Sequence, residues 1–108
     1  MSLATGKEAE SKASSYLETL GYRILERNFH SKFGEIDIIA LKDGILHFFE
    51  VKYSKDYDPL FRITPTKMAK LIKTIRFFFL KHPMSSDYQM DAIIVTPEKI
   101  EIIKNISY

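Results

Sequence analysis

Two acids and a lysine carry the first chemical signal. Asp37 lies in the run Gly34-Glu35-Ile36-Asp37-Ile38-Ile39-Ala40, and Glu50 and Lys52 lie in Phe49-Glu50-Val51-Lys52. Both runs otherwise favour strands, so ionisable groups interrupt segments where Val or Ile would be expected. Side chains alternate across a strand, which puts Glu35 and Asp37 on one face, with Ile36 and Ile38 on the other. Glu50 and Lys52 share a face in the same way. Asp43-Gly44 between the runs is a hairpin-turn signal. A two-residue loop there pairs Lys42 with Ile45, and counting back sets Asp37 opposite Glu50 and Glu35 opposite Lys52.

Directly opposed residues have Cβ atoms roughly 4.5–5.5 Å apart. Two carboxylates about 5 Å apart repel by roughly 3 kcal/mol at an effective dielectric near 20. A raised pKa on one acid relieves that repulsion; so does a divalent cation that accepts the carboxylate oxygens. Hard oxygen donors without cysteine or a nearby histidine favour Mg²⁺ or Mn²⁺ over Zn²⁺. Lys52 beside such an ion can hold an attacking water or stabilise charge developing on a phosphate. The set suits phosphodiester hydrolysis. A plain Glu35–Lys52 cross-strand ion pair is the structural alternative, but it leaves Asp37 opposite Glu50 unexplained.

These residues need elements to position them. Residues 6–20 read as a helix with Ala9, Ala13, Tyr16, Leu17 and Leu20 on one apolar face, ended by Gly21. Glu10 lies nearly in line with Leu17, at the border of that face. Residues 22–28 suggest a strand, followed by a loop through His30, Ser31 and Lys32. The strongest strands are 35–41 and 45–53, and residues 54–63 read as a loop. Thr64-Pro65 caps a helix of residues 65–82 whose stripe is Met68, Leu71, Ile72, Ile75, Phe78 and Phe79. Residues 88–95 form a further strand, and Thr96 to Lys99 turn into a last one through Ile102, Ile103 and Ile106. The expected fold is α/β, a mixed central sheet flanked by helices in the order α-β-β-β-α-β-β.

The chain has 108 residues, with 45% hydrophobic and 28% charged, which fits one globular domain over 1–108. There is no cysteine, which excludes disulfides and thiolate chemistry. No segment reads as a signal peptide or membrane span, so a cytoplasmic protein with no membrane partner is expected. Net charge is only +2, but no acidic residue occurs from Pro59 to Ser86. That window holds Arg62, Lys67, Lys70, Lys73, Arg76 and Lys81, which suggests a polyanion on one side. A solvated lysine-rich helix face is the alternative.

The ordered set Gly6-Lys7-Glu8-Ala9-Glu10, Tyr16-Leu17, Gly21-Tyr22, Arg27-Asn28, Gly34 to Ala40 and Phe49 to Lys52 resembles the YraN-like proteins. These are predicted endonucleases of the PD-(D/E)XK superfamily, with a restriction-endonuclease-like fold, and the arrangement is similar to archaeal Holliday junction resolvases. The resemblance runs over nearly the whole chain. It implies Asp37, Glu50 and Glu10 as Mg²⁺ (or Mn²⁺) ligands and Lys52 as the catalytic lysine. Glu35 belongs to the same motif, either structural or orienting Lys52. Where the family commonly carries an arginine after the E-V-K segment, this chain has Tyr53-Ser54-Lys55, so a phosphate contact expected there is either missing or supplied by Lys55.

On the second helix, Lys70 and Lys73 lie away from the apolar stripe, and Lys67 flanks it near the helix start. These three are the candidate nucleic-acid contacts. Phe77 falls on the same outward side, where it can stack on a base, meet a second subunit or be covered by a loop. The leading expectation is a metal-dependent endonuclease acting on DNA, with branched or damaged forms as candidate substrates and no small-molecule cofactor. A homodimer is one route to cutting both strands. A non-catalytic nucleic-acid-binding adaptor on the same fold is the alternative, and a protein-interaction domain using Phe77 is a third.

Overall fold

The structure is a computed structural model that describes residues 6–56 and 62–106. Helix α1 (Gly6–Thr19) leads into three consecutive strands, β1 (Arg23–Ser31), β2 (Gly34–Lys42) and β3 (Ile45–Tyr53). Helix α2 (Pro65–Lys81), β4 (Asp87–Val95) and β5 (Ile100–Ile103) complete the order α-β-β-β-α-β-β. The five strands form one sheet in sequence order, β1-β2-β3-β4-β5. Pairing is antiparallel from β1 to β3, parallel between β3 and β4, and antiparallel again to β5. The single parallel pair requires a crossover, and α2 supplies it.

Each helix covers one face of the sheet. Ala9, Ala13 and Leu17 of α1 pack on Tyr22, Ile38, Ala40, Phe49, Ile93 and Val95. The small alanines let the α1 backbone approach the sheet closely. On the other face, Met68, Leu71, Ile75 and Phe78 of α2 cover Phe29, Ile36, Ile39, Leu46 and Phe48. Thr64 caps α2, its Oγ1 accepting the Lys67 amide at 3.2 Å, and Pro65 follows where its missing N–H costs nothing.

The turn between β2 and β3 is the expected one. Asp43 and Gly44 both have positive φ, +52° and +77°, the backbone of a type I′ hairpin whose twist suits the flanking strands. Lys42 pairs with Ile45, and the register continues unbroken to Ile38 opposite Phe49.

Other expectations need correction. Strand β1 runs on to Ser31, so the loop drawn through His30 to Lys32 contracts to a Lys32-Phe33 turn. Ser31 Oγ accepts the amides of Phe33 at 3.0 Å and Gly34 at 3.3 Å, which closes that turn. Strand β5 ends at Ile103; Ile106 lies beyond it and donates its amide to the Met90 carbonyl. Of the 54–63 loop, residues 57–61 lie outside the described residues.

The largest correction concerns Ile36 and Ile38, which do not share a face. Ile36 packs in the α2-side cluster and Ile38 in the α1-side cluster. Strict alternation is therefore broken at Asp37. On the neighbouring strand, Asn28 lies between the pairs Arg27↔Ile38 and Phe29↔Ile36 and has φ +54°. A left-handed residue at that point alters the pleat locally.

Candidate active site

The acids collect where β2 and β3 part. The β2–β3 ladder ends at Ile38↔Phe49, so the expected Asp37–Glu50 and Glu35–Lys52 pairs fall outside it, while β3 stays paired with β4 as far as Tyr53↔Val95. Val51 thus loses a β2 carbonyl as its partner. The Asp37 carboxylate takes that place, with Oδ2 accepting the Val51 amide at 2.7 Å. Asp37 is only 8% exposed. Its pKa is pushed up to about 7, first by burial and then by the charges of Glu50, Glu10 and Glu35, against the lowering effect of the Val51 hydrogen bond.

Glu10, Glu35 and Asp37 offer carboxylate oxygens that all lie within 4.8 Å of one another. Helix α1 delivers Glu10, which borders its buried face as its helical position implies. The donors are hard oxygens, and Asp37, its pKa raised first by burial, also sits among three negative neighbours that raise it further. Both observations fit a divalent cation such as Mg²⁺ or Mn²⁺.

Glu50 stands beside this group in a different engagement. Its Oε1 lies 2.6 Å from Lys67 Nζ, and its side chain is 13% exposed. The hydrogen bond to Glu50, with Asp37 and Glu35 nearby, raises the Lys67 pKa against the opposing effect of burial. A cleft of about 440 Å³ is lined by Gly34, Glu35, Asp37 and Glu50 on the sheet side. Thr64, Thr66, Lys67 and Lys70 line it from the first turns of α2. An adjoining cleft of about 410 Å³ contains Glu50, Lys52, Arg62 and Lys67 among its walls. Glu50 and Lys67 thus stand on the boundary between the acids and Lys52.

The structure brings Asp37, Glu50 and Glu10 to one neighbourhood and places exposed Lys52 next to it. Lys67 and Lys70 line the acidic cleft, whereas Lys73 lies further along α2 with its Nζ 5.5 Å from the centre of the Phe33 ring. Phe77 is not an isolated exposed aromatic: it is partly buried against the α2-side core, 6.0 Å from Phe29.

Two features escaped the sequence reading. Glu35 joins the acid group as well as approaching His30 at 3.1 Å, and the Glu35-x-Asp37 spacing was the signal for it. Arg62 lines the cleft beside Lys52, where no local motif announces it. Among the described residues, no helix is long and apolar enough to cross a membrane.

Comparison with known proteins gives a likeness at family level. The model of "Uncharacterised protein family UPF0102" matches residues 9–95. A UPF0102 protein of Helicobacter pylori (strain Shi470) is 52% identical over 105 residues, covering 97% of this chain and 92% of its own. One from Campylobacter fetus subsp. fetus is 51% identical over 95% and 93% of the two chains. One from Campylobacter hominis is 54% identical over 94% and 92%.

Proposed function

The chain belongs to the UPF0102 family, and on that premise we propose that it is a metal-dependent endonuclease hydrolysing DNA phosphodiester bonds. The fold it would represent is the PD-(D/E)XK type, similar to Holliday junction resolvases, and the place of action would be the cytoplasm. The observation that carries the reading is the convergence of Glu10, Glu35 and Asp37 within 4.8 Å beside a cleft whose opposite wall is basic.

Asp37 and Glu10 would hold Mg²⁺ or Mn²⁺, with Glu35 or Glu50 completing the carboxylate set. When bound, the ion supplies Lewis-acid stabilisation of the charge that develops on phosphate oxygens. The chain's own residues do the rest. Lys67 and Lys70, near the positive N-terminal end of α2, bind phosphate by charge and by the helix dipole. Lys52 stabilises the negative charge that grows as water attacks phosphorus and the P–O ester bond breaks. Arg62, in the same cleft as Lys52, supplies the phosphate contact that the E-V-K segment lacks. Asp37 stays anchored to the Val51 amide throughout, which fixes its carboxylate on the sheet.

Incubation with linear, flapped and four-way-junction DNA in Mg²⁺ or Mn²⁺ tests this. Cleavage that disappears in Asp37→Ala and Lys52→Ala supports it. No cleavage of any substrate, together with no measurable metal binding, refutes it.

The Lys67–Glu50 contact at 2.6 Å favours a second reading, an adaptor that binds nucleic acid without cutting. Metal-independent, salt-sensitive DNA binding that survives Glu50→Ala but not charge reversal at Lys70 and Lys73 distinguishes it.

A further inference from the structure

The basic face of α2 does not end at the acidic cleft. Lys67, Lys70, Lys73, Phe77 and Leu80 recur every three or four residues, so they form one stripe along the helix. Beyond Lys70 the stripe enters a second groove, of about 260 Å³, lined by Phe33, Lys73, Arg76, Phe77 and Leu80. Its walls are apolar rings and a leucine, and its charged members are all cations. Leu80 is 79% exposed and Phe33 36% exposed, and with Phe77 they line one groove instead of lying scattered singly over the surface.

Phe33 is held there by the fold. It occupies the Lys32-Phe33 turn closed by Ser31, and Ser31 Oγ lies 3.0 Å from Thr74 Oγ1 on α2. The turn is therefore pinned to the helix that forms the other wall. Lys32 and Lys73 approach the Phe33 ring at 5.2 and 5.5 Å, and Lys81 approaches Phe77 at 5.8 Å. The groove is smaller than the roughly 300–1,000 Å³ of pockets for drug-sized ligands, and so suits a single planar ring.

We propose that this groove receives an unpaired base of a nucleic-acid strand whose backbone runs along α2 to the acidic cleft. The base packs between Phe33 and Leu80, and Lys73 and Arg76 meet the flanking phosphates. The occupant follows from charge and continuity. A second copy of the chain placed face to face would oppose like charges, whereas a nucleic acid brings both the flat apolar ring and the anions. Gly34 and Lys70 line the acidic cleft immediately beside Phe33 and Lys73. Leu80 lies about 15 Å further along the helix than Lys70, a span of a few nucleotides. A paired base cannot enter, so the groove selects DNA with a single-stranded, flapped or unstacked segment near the phosphate to be cut. This deepens the nuclease reading and rests on it.

The test is fluorescence anisotropy of the whole chain in EDTA, with a labelled single strand and a duplex of equal length. Because no cleavage is needed, failure of the groove and failure of the nuclease activity give separate results. The double variant Phe33→Ala/Leu80→Ala is expected to weaken single-strand binding about tenfold, the scale of one lost stacking contact, and duplex binding less than twofold. Both side chains are exposed, and Phe33→Tyr, which keeps the ring, should retain binding. Replacing bases with abasic sites should weaken wild-type binding by a similar factor and the double variant hardly at all. Unchanged single-strand affinity in the double variant overturns the proposal, as does an equal loss on duplex. So does a wild-type dimer, or binding to anionic lipid vesicles, that the double variant abolishes.

Discussion

The Asp37 carboxylate accepts the Val51 amide at 2.7 Å, standing in for a sheet carbonyl at the point where β2 leaves β3. One side chain thus serves the backbone and the acidic group together. Substitutions separate the two duties. Asn keeps an acceptor for Val51 and drops the charge, so Asp37→Asn in EDTA at pH 8 should melt at least about 5 °C above wild type. Asp37→Ala loses the acceptor, leaving a part-buried amide unpaired at about 1–3 kcal/mol, and should melt below Asp37→Asn. Thermal denaturation of the three proteins checks this; equal melting of the two variants would mean that the hydrogen bond contributes nothing.

The raised pKa of Asp37 sets a pH dependence in metal-free protein. Its folded value, about 7, lies above the ordinary 3.8, so the folded state binds the extra proton. The associated stability is complete below about pH 4 and is lost as the pH rises through about 7. The whole span is worth about 4 kcal/mol at most. Urea unfolding across this range in EDTA should show stability falling with pH, and Asp37→Asn should flatten the fall.

Metal reverses that loss. Mg²⁺ or Mn²⁺ added at pH 8 should raise the melting temperature of wild type in a concentration-dependent way, and EDTA should remove the gain. Binding displaces the Asp37 proton, so affinity should grow with pH up to about 7 and calorimetry should detect proton release. Glu10→Gln and Glu35→Gln should each weaken binding at least about tenfold, or about 1.4 kcal/mol. Full metal affinity in Glu35→Gln would return Glu35 to a purely structural part with His30.

Glu50 both repels Asp37 and pairs with Lys67, so its removal has opposing effects. The Lys67 side chain is 55% exposed and water can solvate it once its partner is gone. Glu50→Ala in EDTA should therefore leave the melting temperature unchanged or slightly raised, and should move the pH midpoint of the Asp37-linked transition downward. A steep fall in melting temperature would show that the ion pair outweighs the repulsion.

On the other side of the sheet, His47 Nδ1 lies 2.7 Å from Asp91 Oδ2, with the two side chains 8% and 0% exposed. Asp91 Oδ1 also accepts the Gln89 side-chain amide at 2.8 Å and the Asn105 backbone amide at 2.7 Å. Removing one partner of a buried pair costs about 3–5 kcal/mol. Asp91→Ala should show that loss in urea unfolding, and exchange of the Asn105 amide should quicken.

Local grammar made much of this legible. The Asp43-Gly44 pair specified its own turn, and that turn fixed the register from Lys42–Ile45 to Ile38–Phe49. The helical position of Glu10 placed it at the buried edge of α1 before any neighbour was known. What the sequence did not reveal depends on distant partners. Asp91 lies 44 residues from His47, Lys67 meets Glu50 only once α2 has crossed over, and Phe77 looks exposed on its own helix until Phe29 comes to cover it. The break in alternation at Asp37 also needed β1, because the left-handed Asn28 sits on the neighbouring strand.

The meander's two short turns stand at opposite ends of β2, about 27 Å apart for a nine-residue strand. Lys32-Phe33 adjoins the acids and is tied to α2; Asp43-Gly44 is held by a hydrogen bond from Ser86 Oγ to the Gly44 carbonyl at 3.3 Å. The molecule therefore offers a handle remote from its working end. A fluorophore or a surface tether attached at Asp43 would leave the acidic cleft and the basic stripe open to solution, so single molecules could be immobilised and watched while they meet their ligand.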